Sequence, residues 1–143
     1  MSNTTEQIET FLSSKDNAKF HFNHHKELNY KIPSGSLNLD LSLDGGIPAG
    51  VHRFTGINEG GKTSCALMFA KNFQDHFKDE GMVVFIRSEG RLGPETLKRS
   101  GIDTSKDKFF VFDCNVFEKV FELIRMLVND NKDNKKFFFI IDS

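Results

Sequence analysis

The stretch FTGINEGGKTSCALMFAKNF, Phe54 to Phe73, sets a glycine-rich turn between a short apolar run and an amphipathic segment, with Lys62 at the junction. Gly56, Gly61, Lys62 and Thr63 fit the pattern G-x-x-x-x-G-K-[ST], which acquires meaning when a strand precedes it and a helix follows. Both flanks are predicted here. Val51 to Thr55 reads as the first core strand. Lys62 to Phe77 carries Leu67, Met68, Ala70, Phe73 and Phe77 at helical spacing, with Gly81 as its stop. Gly60 and Gly61 let the backbone turn with its N–H groups facing inward, a concave nest suited to phosphate oxygens. The helix start adds its dipole and unpaired N–H donors at the same point. Lys62 supplies a cation for the outer phosphates, and the Thr63 hydroxyl is a hard oxygen ligand of the kind magnesium prefers. Ile57, Asn58, Glu59 and Ser64 complete the expected phosphate-binding set. A glycine turn that merely joins strand to helix would not need Lys-Thr at this offset.

Outward from that stretch, apolar runs alternate with helical spacing. MVVFI, Met82 to Ile86, has the length of a strand covered on both faces. Pro94 suits the first turn of a short helix that Gly101 ends. FFVF, Phe109 to Phe112, reads as a further strand, and Asn115 with Glu118 as a capping box for a helix over Val116–Val128. NDNKDNKK is a polar loop, and KFFFIIDS holds the last strand. Upstream, Pro33-Ser34-Gly35 and Asp44-Gly45-Gly46 are turn chemistry, while Leu37, Leu39, Leu41 and Leu43 alternate. Thr4 to Leu12 reads as a short helix within an N-terminal arm, residues 1–31, ahead of a core at 32–143. Strands alternating with helices imply an α/β fold with a parallel, doubly wound sheet.

A chain of 143 residues is long enough for one core. Its formal charge of -1, from 19 basic and 20 acidic residues, gives no general footprint for nucleic acid or anionic membrane. Any DNA contact must come from a local patch or from sequence outside this chain. Cys65 and Cys114 fit neither a disulfide framework nor a metal motif, which points to a reducing cytoplasm. The longest apolar run, Phe137 to Ile141, falls far short of a membrane span. His21, His24 and His25 lack partner ligands at zinc spacing and read as a solvated polar arm. Cys65 reads as buried rather than reactive, and Arg53, Lys71, Lys98 and Arg99 as a solvated face.

Two carboxylates belong with the phosphate loop. Asp142 ends an apolar strand, on the edge where parallel sheets bind ligands, so it is placed to support a magnesium ion. Glu89 follows the Met82–Ile86 strand on the same edge and is the candidate general base for activating water. Without that placement, either would read as an acid that merely keeps the surface soluble.

These residues resemble the RecA/RadA recombinase family, most closely its bacterial RecA and phage UvsX branch. IPSGSLNLDLSLDGGIPAG looks like the family's lead-in to the phosphate loop, VVFIRSEGRLGPETLKRSGID like the segment carrying its catalytic glutamate, and FFFIIDS like its Walker B strand. The resemblance covers about Ile32 to Ser143. It implies a RecA-like P-loop NTPase fold, ATP and Mg2+ as ligands, phosphate binding by Gly56–Ser64, a hydrolytic base at Glu89, and magnesium support from Thr63 and Asp142. It further implies homo-oligomeric filaments on single-stranded DNA, strand exchange, and a cytoplasmic location, that of the host for a phage protein. The N-terminal helix would share the family arm's docking on a neighbouring subunit.

Gly93 and Thr96 stand where relatives often place an Asp and an aromatic against adenine, and Arg87 where an acidic residue is common, close enough to Glu89 to alter its pKa. Family members continue past the Walker B strand into a central strand, the DNA-contacting loops and a γ-phosphate sensor. The resemblance therefore implies an N-terminal portion that needs a complementary C-terminal half, with strand edges left unpaired. Another RecA-fold ATPase, of helicase or clock type, and a non-catalytic nucleotide-binding fragment are the alternative readings; the Ser-Gly-Ser-Leu lead-in argues against the helicase.

Overall fold

Val83, Val84, Phe85 and Ile86 are all shut off from solvent, so the run they form is covered on both faces, as a central parallel strand must be. The computed structural model describes residues 3–14, 28–88 and 92–142, in two compact units, residues 1–30 and 31–143. In the first unit, helix α1 (Thr4–Ser13) starts at Asn3, whose backbone N–H donates to the Glu6 carboxylate at 3.2 Å. None of its residues is buried, and Ile8 and Phe11 are exposed.

The second unit runs β1 (Lys31–Ile32), α2 (Leu37–Ser42), β2 (Ile47–Pro48), α3 (Lys62–Phe77), a 3₁₀ turn (Lys78–Glu80), β3 (Gly81–Arg87), α4 (Pro94–Ser100), β4 (Phe109–Asp113), α5 (Phe117–Asn129) and β5 (Lys136–Asp142). β1 and β2 form a small antiparallel ribbon. The main sheet has the order β4-β3-β5, all parallel. Side chains alternate across a strand, and the two faces find different helices. Val83 is level with Phe138, whose ring lies 5.3 Å from Phe73 of α3. Val84 and Ile86 face the other way and pack with Val120 of α5, joined by Phe112, Leu123, Ile124, Phe137 and Phe139. The molecule is thus α/β, a small parallel sheet with a helix on each face. Gln74 of α3, buried, closes this layer to the loop before β4: its amide donates to the carbonyls of Asp103 and Lys108 and accepts from the Asp103 N–H. All three of its polar bonds are made, as burial of an amide requires.

Several local expectations are corrected. Val51–Thr55 is not a strand; it makes no ladder and is exposed throughout. The reason is pairing: β5 is the edge of the sheet, and no described strand stands between it and this segment. Of the alternating leucines, Leu37, Leu39 and Leu41 lie on helix α2 and Leu43 is its C-cap. Ser34 N–H, Ser34 hydroxyl and Gly35 N–H all donate to the Asp40 carboxylate at 2.6, 2.7 and 3.1 Å, which winds the segment back over its own turn. Leu39 and Leu43 are then half-buried while Leu37 and Leu41 are exposed, a spacing of four rather than two. Gly81 does not stop α3. The helix ends at Lys78, whose φ of 50° breaks it, and Gly81 opens β3, where a Cβ would come within 3.1 Å of Phe77 Cβ. Asn115 does not cap α5: the helix begins at Phe117 with Val116 at the N-cap and no side-chain cap.

Candidate functional site

The C-terminal ends of β3 and β5 and the start of α3 meet at one edge of the sheet. The loop before α3 is exposed from Val51 to Gly61, with the Phe54 ring alone reaching back to Phe69 of α3 at 5.8 Å among the ring contacts of the described residues. Its turn is set by backbone geometry: Glu59 and Gly61 have φ of 58° and 81°, and Gly60 donates its N–H to Ile57 O at 3.1 Å. A Cβ on Gly60 would lie 2.9 Å from that same carbonyl, so only glycine closes the turn. Gly61 needs its left-handed φ as the residue before the first helical turn, with Cys65 N–H bonded back to its carbonyl at 2.9 Å. Asn58 and Glu59 are exposed in the loop, and Ser64 is exposed in the first turn of α3.

Lys62 folds back over this turn. Its Nζ donates to Ile57 O at 2.9 Å and Gly56 O at 3.3 Å, so the cation rests on loop carbonyls that anionic oxygens could replace. One residue on, the Thr63 hydroxyl lies 3.2 and 3.3 Å from the two carboxylate oxygens of Asp142 and donates to them. The fold brings these residues together across 79 positions of sequence. Beside them, Ser88 donates both its N–H and its hydroxyl to the Asp142 backbone carbonyl, at 3.1 and 3.0 Å, which locks the exits of β3 and β5 to each other. Glu89, the expected base, lies outside the described residues, as do His21, His24 and His25.

The donors present suit a magnesium–phosphate group. A hydroxyl and a carboxylate converge as hard oxygens, a lysine ammonium sits over a glycine turn, and the N–H groups of a helix start adjoin both. Asp142 and Thr63 are the residues able to hold a cation; among the described residues no cluster of three or more His, Cys, Asp or Glu offers another such set. Cys65, in the first turn of α3, is half-buried, and burial pushes its thiol up from the usual value.

Arg87, expected to influence Glu89, has its described partner in Asp113, and Glu89 lies outside the described residues. The Arg87 guanidinium forms a two-pronged pair with Asp113, Nε to Oδ1 and Nη2 to Oδ2, both at 2.5 Å. Its hydrogen bonds to the Asp113 carboxylate, opposed by desolvation and aided by that carboxylate's charge, push the Arg87 pKa above the ordinary value. Sequence reasoning passed over Ser88 and Asp113. Asp113 carried one usable signal, an acid at the end of a strand on the same edge as Asp142.

The RecA N-terminal domain family matches residues 1–143, the whole of the sequence. The chain belongs to the RecA family. Curated relatives similar to it are each called Protein RecA. That of Mycobacterium ulcerans is 37% identical over 99 residues, covering 68% of this chain and 27% of the relative. That of Mycolicibacterium smegmatis is 38% identical with the same coverage. That of Thermus aquaticus is 37% identical over 98 residues, 67% of this chain and 27% of the relative. The matched part of this RecA-family chain thus spans about a quarter of the relatives' length. No helix of the described residues is long and apolar enough to cross a membrane.

Proposed function

We propose that this chain is the ATP-binding part of a RecA-like recombinase with a P-loop NTPase core. On this reading it acts in homologous recombination and DNA repair, through ATP-dependent filaments on single-stranded DNA and strand exchange. The observation that carries the reading is the approach of the Thr63 hydroxyl to both oxygens of Asp142 at the mouth of the glycine turn. Family membership supports the recombinase class.

In this mechanism Lys62 exchanges the carbonyls of Gly56 and Ile57 for nucleotide phosphate oxygens. The N–H groups of Gly56–Ser64 and the α3 dipole hold the same oxygens. Thr63 and Asp142 would hold magnesium, which when bound offsets the charge that builds on the phosphates during transfer. Glu89, one residue past the Ser88 anchor, is assigned the base that orients the attacking water. Single-stranded DNA, neighbouring copies of the protein and a complementary C-terminal half are the proposed partners.

The test is binding of a fluorescent ATP analogue with magnesium to the full chain and to Lys62→Ala, with circular dichroism to report folding. Saturable binding that the substitution weakens by roughly tenfold or more, the scale of losing charge-assisted bonds, supports the reading. A folded chain that binds the analogue equally well with and without Lys62 overturns it. Adding the C-terminal half to a binding-competent chain should then yield DNA-stimulated hydrolysis.

A further inference from the structure

Three charged residues stand side by side where the sheet ends. Arg87 of β3 is in register with Asp113 of β4 on one side and Asp142 of β5 on the other. Paired residues of neighbouring strands share a face and lie about 4.8 Å apart, so the guanidinium has two carboxylates within reach. It takes only one: both prongs go to Asp113, and no ion pair joins Arg87 to Asp142. Asp142 is left to the Thr63 hydroxyl. An unheld arginine at this register position would compete for the Asp142 carboxylate, because a planar guanidinium forks onto any adjacent carboxylate.

Resting on the proposed nucleotide site, we propose that Asp113 is a positioning residue that restrains Arg87 and so keeps the Asp142 carboxylate available to a divalent cation bound with nucleotide phosphate. Arg87 is the only cation on the register line of these three residues, so the restraint has a single target. Ser88 keeps the geometry tight: by bonding the Asp142 carbonyl it fixes the two strand ends, so that Arg87 and Asp142 stay adjacent.

The experiment titrates magnesium at a fixed concentration of the fluorescent ATP analogue, on the full chain, Asp113→Ala, Asp113→Asn and the double variant Asp113→Ala/Arg87→Ala. Far-ultraviolet circular dichroism and urea melts run in parallel. Removing Asp113 is expected to raise the magnesium concentration for half-maximal binding roughly two- to fivefold, the scale of one partly exposed ion pair. The double variant is expected to return to the parent midpoint, because the competing cation is gone. A purely structural role for the pair would instead lower urea stability in all three variants and leave the magnesium midpoint in place. An unmoved midpoint in a folded Asp113→Asn, or a raised midpoint that persists in the double variant, overturns the inference while the parent's binding keeps the nucleotide reading intact. A folded parent with no magnesium-dependent binding overturns both.

Discussion

At the scale of single residues, Asp40 shows how one carboxylate shapes the approach to the site. It accepts from Ser34 N–H, Ser34 hydroxyl and Gly35 N–H, and these bonds, the Ser34 hydroxyl first, hold its pKa below the usual carboxylate value against desolvation. Asn72 of α3 donates to the neighbouring Pro33 carbonyl at 2.8 Å, so the turn Asp40 organises is tied to the helix that carries Lys62 and Thr63. A depressed folded-state pKa means that Asp40 stabilises the fold at pH values above its unfolded value, about 3.9. That contribution disappears as pH falls through the lower folded value. Asp40→Asn should therefore be less stable than the parent in urea at pH 7, with the difference narrowing as pH falls below about 4; a constant gap would show that the ionised form is not what matters. At this scale the sequence was legible where spacing encodes chemistry. Lys62, Thr63 and Asp142 were named from the motif and the strand end, and the fold brings Thr63 and Asp142 into contact. Asp113 was legible only as an acid at a strand end; its pairing with Arg87 depends on cross-strand register, which no local pattern records.

At the scale of elements, the outcome divides by what stabilises each one. α3 runs over Lys62–Phe77 as its apolar spacing predicts, and β3, β4 and β5 lie where the apolar runs are, although only β3 buries nearly all of its run while β4 and β5 leave Phe110, Val111 and Ile141 exposed. α2 was not legible in the alternation of its leucines, because its conformation follows from bonds to the Asp40 side chain that periodicity cannot see. The spacing within α3 missed Phe69 and Gln74, both buried, since contacts from the loop before β4 and from Phe54 reach around the helix. The hinge of the α3–sheet layer is Phe73, nearly unexposed, with rings of Phe77 at 4.8 Å and Phe138 at 5.3 Å against it. Phe73→Ala opens a cavity at that junction and should cost about 3–5 kcal/mol. Urea denaturation measures it, and a loss under about 1 kcal/mol would mean that the layer repacks freely around a small side chain.

At the scale of the sheet, protection falls to the middle strand alone. β3 is paired on both sides, while β4 and β5 each present one edge that no described strand pairs, and Ile141 is half-exposed on β5. Val51–Thr55 is exposed and shows the same lack: it has the residues of a strand and no described neighbour to pair with. An open, apolar edge is a template for another chain unless a charge or a covering element blocks it. Lysine at the edge is one such block, because bringing two such edges together would desolvate the ammonium groups and set like charges opposite one another. The chain by itself should therefore self-associate with rising concentration in sedimentation velocity runs, and Ile141→Lys should shift it toward monomer without loss of helical circular dichroism. Because Ile141 precedes Asp142, the same variant reports on the site: if self-association occludes the Thr63–Asp142 pair, nucleotide binding per chain rises in Ile141→Lys, whereas a monomeric parent at every concentration would show that the β5 edge is shielded in solution.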